Sequence, residues 1–210
     1  MIRVLLLDDH AVVRAGYRQL INMETDMMVV GEAATSAQAC ELLRESQADV
    51  AIVDLHLQGD SGIEAIRRLL ERRRSLRILV FTMHAHENYA VQALRAGAFG
   101  YLTKDSEPQD MIDAIRLVSA RRHVLSPCIS TLLLGETPSP LPKPLEMLTP
   151  REFEVLRLMT EGQTLEQIAA ALHISEKTVH NTMSLVRQKL EERNDFRLCR
   201  LVIEQGVVRL

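Results

Sequence analysis

The stretch at residues 77–105, RILVFTMHAHENYAVQALRAGAFGYLTKD, decides the fold. Residues 78–81 (ILVF) and 99–102 (FGYL) are short apolar runs of the kind that fit strands buried on both faces. Between them, residues 87–96 carry apolar side chains at helical spacing, and Gly97 follows Arg95 and Ala96 where a C-cap belongs. Strand, helix and strand in so short a stretch predict a right-handed parallel crossover.

The same alternation extends towards the N-terminus. Ile2–Leu7 (IRVLLL), residues 28–30 and Val50–Val53 (VAIV) read as further strands. Residues 11–22, 36–46, 62–73 and 107–120 have helical spacing. Ser36 and Ser61 stand at N-cap positions, and Pro108 suits a first turn. Five strands alternating with five helices predict a parallel sheet covered on both faces over residues 1–122. Residues 123–146 break the pattern. Pro138, Pro140, Pro142 and Pro144 recur at every second position, which predicts an extended, semi-stiff linker after a short helix at 127–134.

From residue 147 to 210 everything reads helical. Thr149-Pro150-Arg151-Glu152 is a capping box, and its helix runs to Thr160 before Gly162. Thr164 through Gln167 repeats the pattern and opens a helix to Leu172. Ser175 opens a third reaching about Leu190, and a fourth spans Asp195–Glu204 and stops at Gly206. The tight turn His173-Ile174-Ser175 between the second and third predicts a helix-turn-helix.

Composition narrows the class. The 210 residues are 47% hydrophobic and 25% charged, which excludes general disorder. Aromatics are 3% with no Trp, so the core must be aliphatic. Net charge is −3, with 15 Lys/Arg against 17 Asp/Glu in residues 1–122 and 9 against 10 in 145–210. Any positive potential for nucleic acid must therefore be confined to one face. Cys40, Cys128 and Cys199 lack metal-ligand spacing and read as reduced thiols. No apolar run approaches a membrane span, so a cytoplasmic protein is expected.

In an open parallel sheet, function gathers at the carboxyl ends of the strands. Asp8 and Asp9 end the first strand, Asp54 the third and Thr82 the fourth, and Lys104 follows the fifth. Three converging carboxylates call for a cation, and Mg²⁺ suits oxygen ligands plus water and a phosphoryl oxygen. Asp54 suits the role of nucleophile, Lys104 that of a charge on one phosphoryl oxygen, and Thr82 that of a donor to another.

The runs LLLDDH (5–10), IVDLHLQGDSG (52–62), FTMH (81–84) and RAGAFGYLTKD (95–105) resemble bacterial receiver domains across residues 1–121. The resemblance implies a flavodoxin-like, five-stranded sheet of order 2-1-3-4-5 and phosphorylation of Asp54 by a sensor histidine kinase. It also implies Mg²⁺ held by Asp9, Asp54, Asp8 through water and the backbone carbonyl of His56. Thr82 would turn to the phosphoryl group while Tyr101 swings inward. One departure is Leu57-Gln58, where such receivers usually have Met-Pro. His10, His84 and His86 lie nearby in sequence without metal-set spacing and read as surface histidines.

The run LTPREFEVLRLMTEGQTLEQIAAALHISEKTVHNTMSLVRQKL (148–190) resembles the LuxR-type helix-turn-helix. Combined with a receiver it is similar to the NarL/FixJ class of response regulators. Val179, Met183, Val186 and Leu190 form an apolar stripe. By family position His180, Asn181 and Ser184 fall near base edges of promoter DNA, while Lys177, Thr178, Arg187 and Lys189 suit phosphates. Thr182 stands where the family usually has His, and Ser184 where relatives often have Lys. Modest monomer affinity is therefore expected, with homodimers forming on phosphorylation. In the last helix, Leu198, Leu201, Val202 and Val207 resemble the family's dimerisation helix but equally suit a core. The expected activity is transcriptional control, with no enzymology beyond self-phosphorylation and self-dephosphorylation. Two alternatives stand beside it. One is a receiver used only for protein contact, for which Gln58 leaves room. The other is a Mg²⁺-dependent phosphohydrolase, which would want D-x-D where this chain has Asp8-Asp9-His10.

Overall fold

The computed structural model describes residues 1–57, 60–127, 129–130 and 144–208. The N-terminal half runs β1 (Ile2–Leu7), α1 (Ala11–Asn22), β2 (Met27–Ala33), α2 (Ser36–Glu45), β3 (Val50–Val53), β4 (His56–Leu57), β5 (Asp60–Ser61), α3 (Gly62–Arg72), β6 (Arg77–Thr82), α4 (Glu87–Ala96), β7 (Gly100–Thr103), α5 (Pro108–Ser119) and β8 (Val124–Leu125). The main sheet has the order β2-β1-β3-β6-β7-β8, and every pairing in it is parallel.

Counting its strands along the chain, this is the expected 2-1-3-4-5 order with one short addition. The sixth strand arises because the chain reverses after α5 at Arg121, whose φ is 62°, and returns along the edge of β7. Strands β4 and β5 form a separate antiparallel pair just beyond Asp54. Gln58 and Gly59, where the receiver-type proline is missing, lie outside the described residues, as do most of the proline-rich stretch, part of the short helix expected at 127–134, and Cys128.

Alternation along the strands divides the core into two layers. Val4, Leu6, Ile52, Leu79 and Phe81 face α1 and α5, where Ile21, Met111 and Ile115 meet them. Leu5, Leu7, Val53, Ile78 and Val80 face α2, α3 and α4, where Leu43, Ile66, Leu69 and Ala93 meet them. Each fully buried large aliphatic side chain contributes about 1.5–3 kcal/mol relative to exposure.

The caps follow the sequence with one correction. Ser36 is not the N-cap of α2. Thr35 is, accepting from Gln38 N through its side chain, while Ser36 is buried, its N–H donating to an Asp60 carboxylate oxygen and its hydroxyl accepting from Arg68. Ser61 caps α3, Pro108 opens α5, and Gly97 ends α4 with φ 110°.

The C-terminal half begins with a 3₁₀ turn, Pro144–Met147, followed by α6 (Pro150–Thr160), α7 (Leu165–Ala171), α8 (Glu176–Lys189) and α9 (Asp195–Glu204). Both expected capping boxes, at Thr149/Glu152 and Thr164/Gln167, are formed. The 3₁₀ turn corrects the expectation of extended linker up to residue 146. Leu145 is fully buried, and that burial drives the turn. Gly206, with φ 69°, ends the segment after α9. Val207 therefore lies beyond the helix, buried against the N-terminal half. Phe153, Leu156, Val179, Leu198 and Val202 continue the same apolar cluster that covers one face of the sheet. No helix among the described residues is long and apolar enough to cross a membrane.

Candidate functional site

Three strand ends bring the acidic group together. The N–H of Asp54 donates to Leu7 O at 2.9 Å, fixing the end of β3 beside the end of β1. Asp8 and Asp54 are 4% and 3% exposed, so water cannot screen them. Their charge is met instead by Lys104 Nζ, which lies 2.6 Å from Asp8 Oδ2 and 2.6 Å from Asp54 Oδ2. Burial alone would lower the Lys104 pKa, but the hydrogen bonds and charges of Asp54 and Asp8 more than offset it and hold the ammonium above its usual value. The other oxygens accept from backbone: His56 N to Asp54 Oδ1 at 3.1 Å and His10 N to Asp8 Oδ1 at 2.8 Å.

Asp8, Asp9, His10 and Asp54 each offer a ligand atom, all within 4.8 Å of one another. Against a single ammonium, three carboxylates leave a local excess of negative charge. That donor set fits a hard divalent cation. His10 was not expected in the group. Its Nδ1 sits 2.8 Å from Asp9 Oδ1, since the His10 backbone folds back onto Asp8.

Thr82 and Tyr101 are fully buried at the same edge. The N–H of Lys104 donates to Thr82 O at 2.9 Å, tying the end of β7 to the end of β6. Thr82 Oγ1 accepts from His84 N at 3.5 Å, and the Tyr101 hydroxyl donates to His84 O at 2.7 Å, so the ring occupies the inward position. His84 is not the surface residue its sequence neighbourhood suggests. Burial, reinforced by Arg157 and His56, lowers its pKa to about 4, so the ring is neutral at pH 7.

Gly62 sets how close α3 comes to the acidic loop. A Cβ there would lie 2.3 Å from Leu55 Cα and 2.5 Å from Asp54 O, both backbone atoms that cannot yield. Gly62→Ala is expected to cost about 1–3 kcal/mol, read as a lower denaturation midpoint; an unchanged midpoint would show the loop to be slack.

In the helical half, Lys177, Thr178, His180, Asn181 and Ser184 are exposed on α8. Val179, Met183 and Val186 are buried beneath them. Thr182 is buried too, its hydroxyl donating to Thr178 O at 2.8 Å, so its departure from the family pattern removes nothing from the exposed face. Arg187 and Lys189 are not free cations. Arg187 holds Asp195 through two bonds of 2.9 Å, and Lys189 lies 2.7 Å from Glu152 Oε2.

The receiver-type acidic edge and the capped helix-turn-helix both have counterparts among known proteins. Residues 4–116 match the family described as response regulator receiver domain, and residues 146–202 match bacterial regulatory proteins, luxR family. The chain belongs to the response regulators of the NarL/FixJ class. This response regulator is 38% identical over 195 residues to the nitrate/nitrite response regulator protein NarL of Escherichia coli (strain K12), covering 90% of each chain. It is 33% identical to the response regulator UvrY of the same strain over 209 residues, 99% of this chain and 96% of that one. Among solved structures it is similar to RcsB from Salmonella enterica serovar Typhimurium bound to promoter rprA in the presence of phosphomimetic BeF3⁻, with TM-score 0.75, 27% identity, and 96% and 98% of the two chains covered. It is a DNA-binding regulator of transcription, not a metabolic enzyme.

Three features of the response regulator were not picked out from sequence. Arg14 of α1 donates to the backbone carbonyl of Asp8 and lies 3.6 Å from Glu32, buttressing the acidic pair. Arg157 is buried with Glu154 in α6. Tyr89 of α4 reaches the C-terminal half. The i, i+3 spacing of Glu154 and Arg157 was a visible signal, but spacing does not say that a pair is buried.

Proposed function

We propose that Asp54 accepts a phosphoryl group from a sensor histidine kinase and that this controls promoter binding by the C-terminal helices. The proposed organisation is a receiver that takes in β8 at Val124–Leu125, a proline-rich linker that ends before the turn at Pro144–Met147, and a LuxR-type DNA-binding domain from that turn onward. The observation that carries the reading is the Lys104 ammonium at 2.6 Å from both Asp8 and Asp54, a fixed cation beside the carboxylate proposed as nucleophile. In the transfer, an Asp54 carboxylate oxygen bonds to phosphorus, the bond from phosphorus to the donor nitrogen breaks, and the electron pair stays with the donor imidazole. Lys104 then faces a phosphoryl oxygen, and Thr82 donates its hydroxyl to another.

Mg²⁺ would complete the site, with Asp9 and Asp54, Asp8 through water, and the carbonyl of His56 as the groups that would hold it. When bound, it neutralises charge on the phosphoryl oxygens. Arg14 and the backbone N–H of His56 keep Asp8 and Asp54 aimed at that spot.

On DNA, His180, Asn181 and Ser184 are assigned to base edges, and Lys177 and Thr178 to phosphates. Arg187 and Lys189 reach phosphates only by exchanging Asp195 and Glu152 for them. With so little free positive charge, two half-sites read by a homodimer supply the affinity. The cell compartment consistent with promoter binding is the cytoplasm. The whole-chain likeness to a DNA-bound, beryllofluoride-treated RcsB supports the reading.

The test combines beryllofluoride and Mg²⁺ with DNA selected on the full chain. Tighter binding and dimer formation on addition are expected; equal binding with and without them would remove the switch. Asn181→Ala is expected to weaken the selected site by about 1–3 kcal/mol while leaving random DNA unchanged. A uniform loss on both DNAs would place Asn181 at a phosphate instead.

A further inference from the structure

The two halves of the chain meet along α4, and the meeting surface is built of polar groups with specific partners. Asn88, Tyr89 and Gln92 are 1%, 3% and 0% exposed although they lie on the outer face of a surface helix. Asn88 Nδ2 donates to Gln205 Oε1 at 3.2 Å. Gln92 Nε2 donates to Leu145 O at 3.3 Å and Leu148 O at 3.1 Å. Arg95 donates to Glu146 O and, at 3.3 Å, to Leu148 O. From α3, Glu64 pairs with Arg151 at 2.6 Å, and from β5, Asp60 lies 3.7 Å from His173.

Tyr89 stands at the centre. Its ring stacks on His84 with centroids 4.2 Å apart and 19° between planes, and meets Phe153 of α6 edge-on at 5.5 Å. Its hydroxyl donates to Val207 O at 3.2 Å. His84 in turn is held through its own backbone by the two buried switch residues, its N–H on Thr82 and its carbonyl on Tyr101. A continuous run of contacts therefore leads from the hydroxyl of Thr82 to α6 and to the segment after α9.

The surface that this packing leaves open matters as much. With the halves closed on each other, Lys177, Thr178, His180, Asn181 and Ser184 all remain exposed. What the receiver meets is α6, through Phe153 on Tyr89 and Arg151 on Glu64. Parting the halves is thus not needed to uncover the reading face.

We propose that the α4 surface is a transmission joint keyed by Tyr89, through which Asp54 phosphorylation raises DNA affinity while the two halves stay packed. This rests on the assignment of Asp54 as the phosphoryl acceptor. Tyr89 is a positioning residue, since it touches neither phosphoryl group nor DNA. Its ring carries a shift of His84 directly into Phe153, and its hydroxyl holds the backbone at Val207.

The experiment compares the full chain with Tyr89→Ala and Tyr89→Phe. Each is assayed for phosphoryl uptake from acetyl phosphate by mass, for amide exchange in α6, and for DNA affinity with and without beryllofluoride and Mg²⁺. In the unsubstituted chain, α6 protection is expected to hold or rise on beryllofluoride. Tyr89→Ala is expected to take up phosphoryl normally, to exchange its α6 amides about tenfold faster, and to lose most of the beryllofluoride-dependent gain in affinity with basal binding unchanged. Tyr89→Phe keeps both ring contacts and is expected to retain most of the gain, which guards against a folding defect in the alanine variant. Three results would overturn the joint: α6 deprotected by beryllofluoride in the unsubstituted chain, Tyr89→Ala binding DNA tightly without beryllofluoride, or Tyr89→Ala behaving as the unsubstituted chain. Absence of phosphoryl uptake in the unsubstituted chain would instead remove the Asp54 assignment, and the joint with it.

Discussion

Asp54→Asn is expected to abolish phosphoryl uptake from acetyl phosphate and with it the gain in DNA affinity, while basal DNA binding and folding persist. The amide has the shape of the carboxylate. Its oxygen can still accept from His56 N or from Lys104, whose partners at Asp54 are at 3.1 and 2.6 Å. What it lacks is a nucleophilic anion, and neither shape nor hydrogen bonding replaces that. A phosphoryl group on Asp54 would add about 1.5–2 negative charges at this buried spot, and the proposed gain in affinity depends on that charge. The variant also reduces the three carboxylates of the site to two, so Lys104 alone comes closer to balancing them and a divalent cation is held less firmly. Intact-mass measurement after acetyl phosphate and Mg²⁺ treatment decides the matter. Uptake by the variant at the original rate would move the acceptor to another carboxylate, Asp8 or Asp9 being next to it.

Arg157→Ala is expected to be the most destabilising single change in the helical half. The Arg157 guanidinium grips Glu154 through bonds of 3.0 and 3.1 Å and Glu161 through one of 2.5 Å. Glu154 is 3% exposed and Arg157 9%. Burial alone would lower the Arg157 pKa, but the charge of Glu154 holds it above the usual value, so the guanidinium stays charged. Removing the cation strands a buried carboxylate, a defect worth about 3–5 kcal/mol. Replacing both, as Glu154→Leu with Arg157→Met, removes the stranded charge together with its partner and is expected to restore most of the stability. Chemical denaturation of the three proteins tests this: if the double variant is as unstable as the single one, packing rather than charge is the cause.

Much of the fold was legible because local rules and global packing agree. The unit at residues 77–105 shows its strands as apolar runs, its helix as a spaced stripe and its helix end as Gly97, and each element formed within a residue or two of expectation. The capping boxes at Thr149 and Thr164 formed for the same reason, since a cap needs only neighbours three residues away. Thr35 displaced Ser36 as the cap of α2 because both are competent residues and the tertiary partners Asp60 and Arg68 claimed Ser36. The turn at Pro144–Met147 was not legible because its cause, the burial of Leu145 beside Gln92, comes from residues far away in the chain.

At the site, strand ends were enough to bring Asp8, Asp54, Thr82 and Lys104 to one edge, because parallel topology places every carboxyl end on the same side. His10 and Arg14 were not expected there, since their roles depend on how the chain folds back after β1.

What the sequence determined by itself, then, was the five main strands and their helices, their order and the edge where chemistry gathers. These follow from periodicity, caps and the handedness of crossovers, all of which act over a few residues or apply to every parallel sheet. Only the tertiary structure decided which face of the helical half meets the receiver. That it is α6 and the residues around Val207, with the reading face of α8 left open, depends on the fit of Tyr89, Asn88 and Gln92 to partners more than fifty residues away. Such contacts arise from shape and polar complementarity between surfaces, and no local pattern encodes them.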